Sequence, residues 1–374
     1  MADLLELDES AAQEHFFEAG WTDGLPVVPP TPDRVLDTLL AGGVTDPDEI
    51  LGSVPQRNVT VTAEQLAINA VMAGCKPAYF PVVLAATDCL LSPDFNAHTA
   101  CTSTGGAALC VVVSGPLAAE LGMNGGLNAL GPGNRANATI GRAVRLLAAN
   151  VLGAKSGELD GSSMGHPGKY TLCVAEEPTP GWELHAVAIG YGPEDTTVTL
   201  MPTEGPHQVA NHLNGDPEGI LLTFAAAMSN PATFSTGKAG QGIVVLGWEH
   251  RTILAKAGWD RSRVQAFLAE HTRVTPDELA AGGVLLEEGT SHPMIPGPDG
   301  KLPSFRSPED ILVTTAGGAG AGWSAYIPSW APPGHAHAEA VTRRVRLAGE
   351  ALPDCGPDGC EVDLDVPVAP EEGP

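Results

Sequence analysis

Residues 131–153 read GPGNRANATIGRAVRLLAANVLG, a glycine-broken entry, a helix and a glycine stop. Ile140, Val144, Leu147 and Val151 recur at helical spacing, so one face packs inward. Gly153 is suited to the left-handed backbone that ends a helix. Asn134, Arg135 and Asn137 stand at the entry, with Arg142 and Arg145 on the helix itself. A helix start has unpaired N–H groups and the positive end of the dipole. Arginine and asparagine side chains there suit a carboxylate or a phosphate. The plainer reading of the same residues is an Asn-capped helix with solvated arginines.

Working outward, strand and helix signals alternate. Towards the N-terminus, helices are expected at 8–20, from Thr31-Pro32-Asp33 to about Leu40, after a strand at Asn58–Val61, and at 79–91. Cys101-Thr-Ser-Thr-Gly-Gly106 precedes a buried strand, Leu109 to Val113, and can present hydroxyls and backbone N–H groups to an anion. Beyond Gly153, a Gly-rich loop carries His166 and Lys169 into a strand from Tyr170 to Ala175, with Glu176 and Glu177 just after it. Glu183–Tyr191 and Thr196–Met201 read as strands and His207–Leu213 as a turn or short helix. Helices at Ile220–Met228 and Trp259–His271, strands at Gly242–Leu246 and Ile311–Thr315, and a basic helix from Thr342 to Arg346 complete the series.

This alternation makes the chain α/β, with two related lobes of mixed sheets flanked by helices. The divisions are an N-terminal arm and helix (1–60), a first lobe (61–201), a second lobe (202–350) and an acidic Pro-rich tail (351–374). An internal duplication is suggested by two correspondences. Cys110-Val-Val-Val-Ser-Gly115 with its helix matches Ile243-Val-Val-Leu-Gly247 with its own, and Thr-Pro-Asp followed by Ala-Gly-Gly-Val occurs twice, at 31–44 and 275–284. A ligand would then sit in a cleft between the lobes.

The 374 residues are 43% apolar, which means a folded chain long enough for two lobes. Net charge is −26 with only 19 lysines and arginines, so nucleic acid and anionic membrane are expected not to be partners. The acidic start lacks a signal-peptide pattern and no apolar run reaches membrane-spanning length, so the expected location is cytoplasmic. The seven cysteines do not form a disulfide framework.

The glycine string 316–322 follows a strand but lacks the spacing and the acid of a dinucleotide fingerprint, and there is no P-loop, so NAD and P-loop nucleotides are not expected. His335-Ala-His337 is a candidate metal pair, although no metal ligand is assigned, and Cys355 and Cys360 lack a second pair of ligands. Cys75 and Cys101 are candidate nucleophiles. His166, Glu176 and His250 are candidates for proton transfer. Ser103, Thr104, Asn134, Arg135, Asn137, Arg142 and Lys169 are expected to bind a small anionic molecule, since cations are scarce here and cluster at glycine-rich loops.

Trp21-Thr-Asp-Gly-Leu-Pro-Val-Val-Pro-Pro-Thr31, Ala67-Ile-Asn-Ala-Val-Met-Ala-Gly-Cys75 and Asn137-Ala-Thr-Ile-Gly-Arg-Ala143 carry a resemblance to a bacterial family. Its members resemble partners of the UGSC-motif proteins, which are selenocysteine proteins or their cysteine counterparts. The resemblance covers about Phe16 to Trp330, and the chain has no Cys-Gly-Ser-Cys motif of its own. It implies thiol or redox chemistry shared with a separate protein. The leading expectation is a homo-oligomeric enzyme, a lyase or hydrolase with thiol involvement. The alternatives are an accessory subunit that binds a thiol or redox partner, and a metal-dependent enzyme using His335 and His337.

Overall fold

The computed structural model describes residues 5–281 and 295–350, apart from the side chains of 9, 10, 334 and 335. Among the described residues, eight strands form two four-stranded sheets: β1 (Ala108–Ser114), β2 (Leu172–Ala175), β3 (Thr197–Thr203), β4 (His207–Ala210), β5 (Gly242–Leu246), β6 (Ile311–Thr315), β7 (Trp323–Pro328) and β8 (Val341–Arg344). Two further antiparallel pairs lie apart from them, Ile50–Val54 with Val59–Thr62 and Arg273–Val274 with Leu302–Pro303. The main helices are α1 (Glu9–Glu18), α2 (Pro32–Ala41), α3 (Ala63–Ala73), α4 (Phe80–Leu91), α5 (Arg135–Asn150), α6 (Pro217–Met228), α7 (Trp248–Lys256) and α8 (Arg261–His271).

The sheets share one plan. In the first, the order is β2-β1-β3-β8; in the second it is β6-β5-β7-β4. Each begins with a parallel pair (β1 with β2, β5 with β6) joined through helices. Each continues with two antiparallel neighbours. The fourth strand comes from the other half in both: β4 follows β3 in the chain but pairs in the second sheet, and β8 follows β7 but pairs in the first.

Burial makes this a four-layer α/β/β/α arrangement. Cys110, Val112 and Val174 from one sheet pack on Ile243, Val245 and Ile327 from the other. The alternate residues Val111, Val113 and Cys173 point outward under α3, α4 and α5. Val244, Leu246 and Val313 do the same under α6 and α8. Strands buried on both faces show no polar alternation, which is why β1, β2 and β5 read as unbroken apolar runs. The space between the sheets is therefore core rather than an open cleft.

Several expectations are corrected here. Glu183–Tyr191 holds a short helix, His185–Ala188, and His207–Leu213 begins with strand β4. Thr342–Arg346 is not a helix, since most of it is β8, which belongs to the first sheet although it was assigned to the second lobe. Both β4 and β8 are edge strands, and β4 buries only Val209, so neither has an apolar pattern to read. Strand β7 ends on Pro328, which lies beyond the stretch paired with β4, so its missing N–H leaves no ladder bond unmade on that side. Of the repeated motifs, the strand–glycine–helix pair falls at equivalent places, after β1 and after β5. The Thr-Pro-Asp pair does not: one opens α2 ahead of the first sheet, the other a helix at Pro276–Ala281 between α8 and β6. Its second Ala-Gly-Gly-Val runs outside the described residues, as do Cys355 and Cys360.

Candidate functional site

At the entry of α5, the polar side chains bond to the chain itself, although Arg135 is exposed and bonds only through Nε. The Asn134 Oδ1 accepts from the Asn137 N–H (3.1 Å), and its Nδ2 donates to the Gly122 carbonyl (2.8 Å). Asn137 is buried and grips the Asn124 backbone, accepting from its N–H (2.8 Å) and donating to its carbonyl (3.0 Å). Arg135 Nε donates to the Gly74 carbonyl at 2.9 Å. Arg142 makes a fork on Asp23, at 2.8 and 2.7 Å, and also reaches the Leu25 and Pro26 carbonyls. That fork fastens the Trp21–Pro26 loop to α5. The entry is thus a capped helix start that docks neighbouring loops, and these four residues do not converge on one open space.

One turn further along α5, Arg145 reaches a different place. Its Nη2 lies 2.7 Å from the Asp160 Oδ2, and Lys169 Nζ lies 2.7 Å from the same oxygen. Ser162 Oγ donates to Asp160 Oδ1 (2.5 Å) and accepts from Lys169 Nζ (2.6 Å). Asp160 is 4% exposed. Burial pushes its pKa up, but the hydrogen bonds from Lys169 and Ser162 and the charges of Lys169 and Arg145 outweigh this and hold it below the ordinary carboxylate value. The four side chains stand on the wall of a cavity of about 730 Å³ that also takes in Asp23, Lys155, His166 and Tyr170. His166 Nδ1 accepts from the Gly168 N–H (3.2 Å), which leaves Nε2 to carry the proton. Burial, with the nearby Lys169 charge, pushes its pKa below the ordinary value, so the imidazole is neutral at neutral pH.

The Thr-Ser-Thr-Gly-Gly loop backs this cavity. Ser103 Oγ accepts from the Gly105 N–H at 2.9 Å, and the Thr104 carbonyl accepts from the Ser163 N–H at 2.9 Å. A Cβ on Gly106 would meet the Gly165 Cα at 2.7 Å, so only glycine lets the two loops touch. Cys101 lies behind them, where the charges of Arg145, Asp160 and Lys169 all bear on it. Residues some sixty positions apart in sequence (Cys101, Ser103 and Thr104 with His166 and Lys169) are thereby brought together. Asp160 and Ser162 had no signal in the sequence, because one acid among 45 Asp and Glu residues and one serine in a turn are unremarkable there.

The remaining candidates lie elsewhere. Glu176, at the end of β2, is buried and accepts from Arg261 Nη2 (2.8 Å), from the His185 N–H (2.8 Å) and from Ser114 Oγ. This ties the first sheet to α8. His250 is buried between the Asn211 carbonyl, to which Nε2 donates (3.0 Å), and Ser324 Oγ, from which Nδ1 accepts (2.7 Å). It locks α7 to the edge of the second sheet. Cys75 Sγ donates to the Thr139 carbonyl (3.3 Å), and burial pushes its pKa up to about 12. Burial takes Cys101 up to about 11 and Cys110 to about 12, and it raises Cys173 as well. None of these sulfurs is held as the thiolate that nucleophilic attack requires. His337 is exposed with a left-handed backbone (φ 51°), and among the described residues no group of three or more His, Cys, Asp or Glu side chains is placed to hold a metal. No helix among the described residues is long and apolar enough to cross a membrane.

No protein-family model matches the chain, and no curated protein matches it at a significant level.

Proposed function

We propose that the chain is an enzyme, a hydrolase of a small anionic substrate bound in the Asp160 cavity. The observation that carries this reading is the Ser162 hydroxyl, held between the Asp160 carboxylate and the Lys169 ammonium on the wall of an open space. Arg145, Lys155 and Lys169 line the space together with Asp23, Glu158 and Asp160, so cations and carboxylates balance there within a strongly acidic protein, and two of the cations converge on Asp160. A substrate carboxylate is drawn to Arg145 and Lys169. Ser162 Oγ attacks the ester carbonyl while Asp160 accepts its proton; the acyl–oxygen bond breaks as Asp160 passes that proton to the departing alcohol, and water then cleaves the acyl-serine, with its proton returned to Ser162 Oγ through Asp160. Neutral His166 lines the same cavity. Of lyase and hydrolase chemistry, a poised hydroxyl favours the second. The test is turnover of monoesters of small dicarboxylic acids: Ser162→Ala should lower kcat/KM by about 10²–10⁴-fold. Unchanged turnover in that variant would sink the assignment.

A second reading is favoured by a groove of about 900 Å³ along α1, α2 and α3, lined by Leu7, Phe16, Trp21, Leu36 and Met72. There the chain is an accessory subunit that docks a partner supplying the reactive thiol, as the resemblance to UGSC-associated proteins implies, since its own described thiols are buried and protonated. Co-elution with a UGSC-motif protein on size exclusion, with no hydrolysis by the chain alone, would favour it.

A further inference from the structure

Arg251, on α7, is 5% exposed, and its Nη1 is buried without a hydrogen-bond partner. Among the described residues its side chain makes no hydrogen bond or ion pair. A buried guanidinium without a counter-charge is costly, and folded proteins rarely leave one so. Burial lowers its pKa, and the charge that bears on it from the other side is Glu177. Glu177 is half-buried, and its carboxylate likewise has no hydrogen bond or ion pair among the described residues. The two charges feel each other without touching.

The backbone keeps them apart. The Glu177 N–H donates to the Thr315 carbonyl (2.7 Å), and the Glu177 carbonyl accepts from Thr315 Oγ1 (2.6 Å), which pins the residue to the end of β6. Gly125 presses on the carboxylate: a Cβ there would lie 2.8 Å from Glu177 Oε2. Gly125 also accepts from the Gly317 N–H at 2.7 Å, and a Cβ on Gly317 would sit 3.6 Å from the Gly247 Cα and 3.9 Å from the Trp248 nitrogen. Three glycines therefore bring Glu177 from the first half against the start of α7 from the second. Helix α7 has nine residues, and no side chain caps its first turn. Its Cα–Cβ bonds tilt toward that turn, and Glu177, held beside the turn, is the charge that bears on Arg251. The place lies outside the carboxyl ends of two parallel strand pairs, where α/β folds leave room for ligands. Trp248, the first residue of α7, and Leu127, which lies against Gly318, are 43% and 69% exposed.

We propose that this junction binds a small α-hydroxy or α-amino acid, its carboxylate held by Arg251 and the first turn of α7 and its hydroxyl or ammonium by Glu177. The planar guanidinium and the free N–H groups suit a carboxylate. Glu177 disfavours a dianion such as phosphate and favours a donor on the adjacent carbon. The site shares no residue with the Ser162 cavity, so either reading can fail without the other.

The experiment is calorimetric titration of the full-length chain with glycolate, glycine, acetate and inorganic phosphate. Glycolate or glycine should bind, with acetate weaker by about 10-fold because it lacks the second group. Arg251→Met should weaken the bound probe by about 100-fold, and Glu177→Gln should bring it down to the acetate level. If Arg251→Met does not fold, Arg251→Lys keeps the charge, loses the fork and should still weaken the probe by about 10-fold. No heat from any probe up to about 10 mM, equal affinity in the arginine variant, or phosphate binding more tightly than both acids would overturn the proposal.

Discussion

Arg261 and Glu176 meet at 2.8 Å with side chains 8% and 1% exposed. Arg261 Nε and Nη1 are left without partners. Taking two charges out of water is costly, and removing one partner is costlier still because the other stays buried. Arg261→Met should therefore destabilise the fold by about 3–5 kcal/mol, and the double variant with Glu176→Gln should recover part of that in urea unfolding. Beside the pair, burial, with the Arg261 charge, pushes His185 down to about 3. A histidine held neutral in the fold stabilises fully above its unfolded pKa, near 6.5, and that stability is lost as pH falls from there toward the folded value. The slope is at most about 1.4 kcal/mol per pH unit. Between pH 6.5 and 4.5 the wild-type chain should lose stability faster than His185→Leu, and parallel curves would refute this. His166 is also shifted downward, so its neutral form persists into mild acid. Hydrolysis should hold as pH drops through 6.5 and fail only below; a rate that halves at 6.5 would contradict the downward shift of the cavity histidine.

At the scale of elements, local signals were legible where the chain closes them locally. Thr62 and Gln65 form a full capping box at the start of α3, where the sequence placed a helix directly after the Asn58–Val61 strand. Thr62→Ala should cost about 1 kcal/mol in thermal or urea unfolding, and no loss would show that the helix start is held by packing alone. The entry of α5 was equally visible as a run of asparagines and arginines, but its role was not. The partners of Arg142 and Asn137 are Asp23 and the Asn124 backbone, which come from other loops and have no periodicity to announce them. The same holds for the Asp160 cavity, whose residues gather because Gly106 and Gly165 allow two loops to touch. Adding one methyl by Gly106→Ala should force those loops apart and lower turnover at Ser162 even where the fold survives.

At the scale of the whole molecule, the exchange of β4 and β8 makes each half incomplete without the other. A fragment ending at residue 204 lacks β8 and leaves β3, a fully buried strand, as an apolar sheet edge. It should aggregate when expressed alone and be rescued by co-expression with residues 205–374, as size exclusion would reveal. The shared strand order of the two sheets is the plan an internal duplication would leave, and the strand–glycine–helix likeness follows it where the Thr-Pro-Asp likeness does not. The sequence by itself determined the α/β class, most helices and the buried strands, because apolar spacing and capping are properties of neighbouring residues. The tertiary structure alone decided which charges pair, which cysteines are silenced by burial, which strands exchange and where open space remains. Those depend on contacts between residues far apart in the chain, and a buried arginine without a partner is visible only once the chain has folded around it.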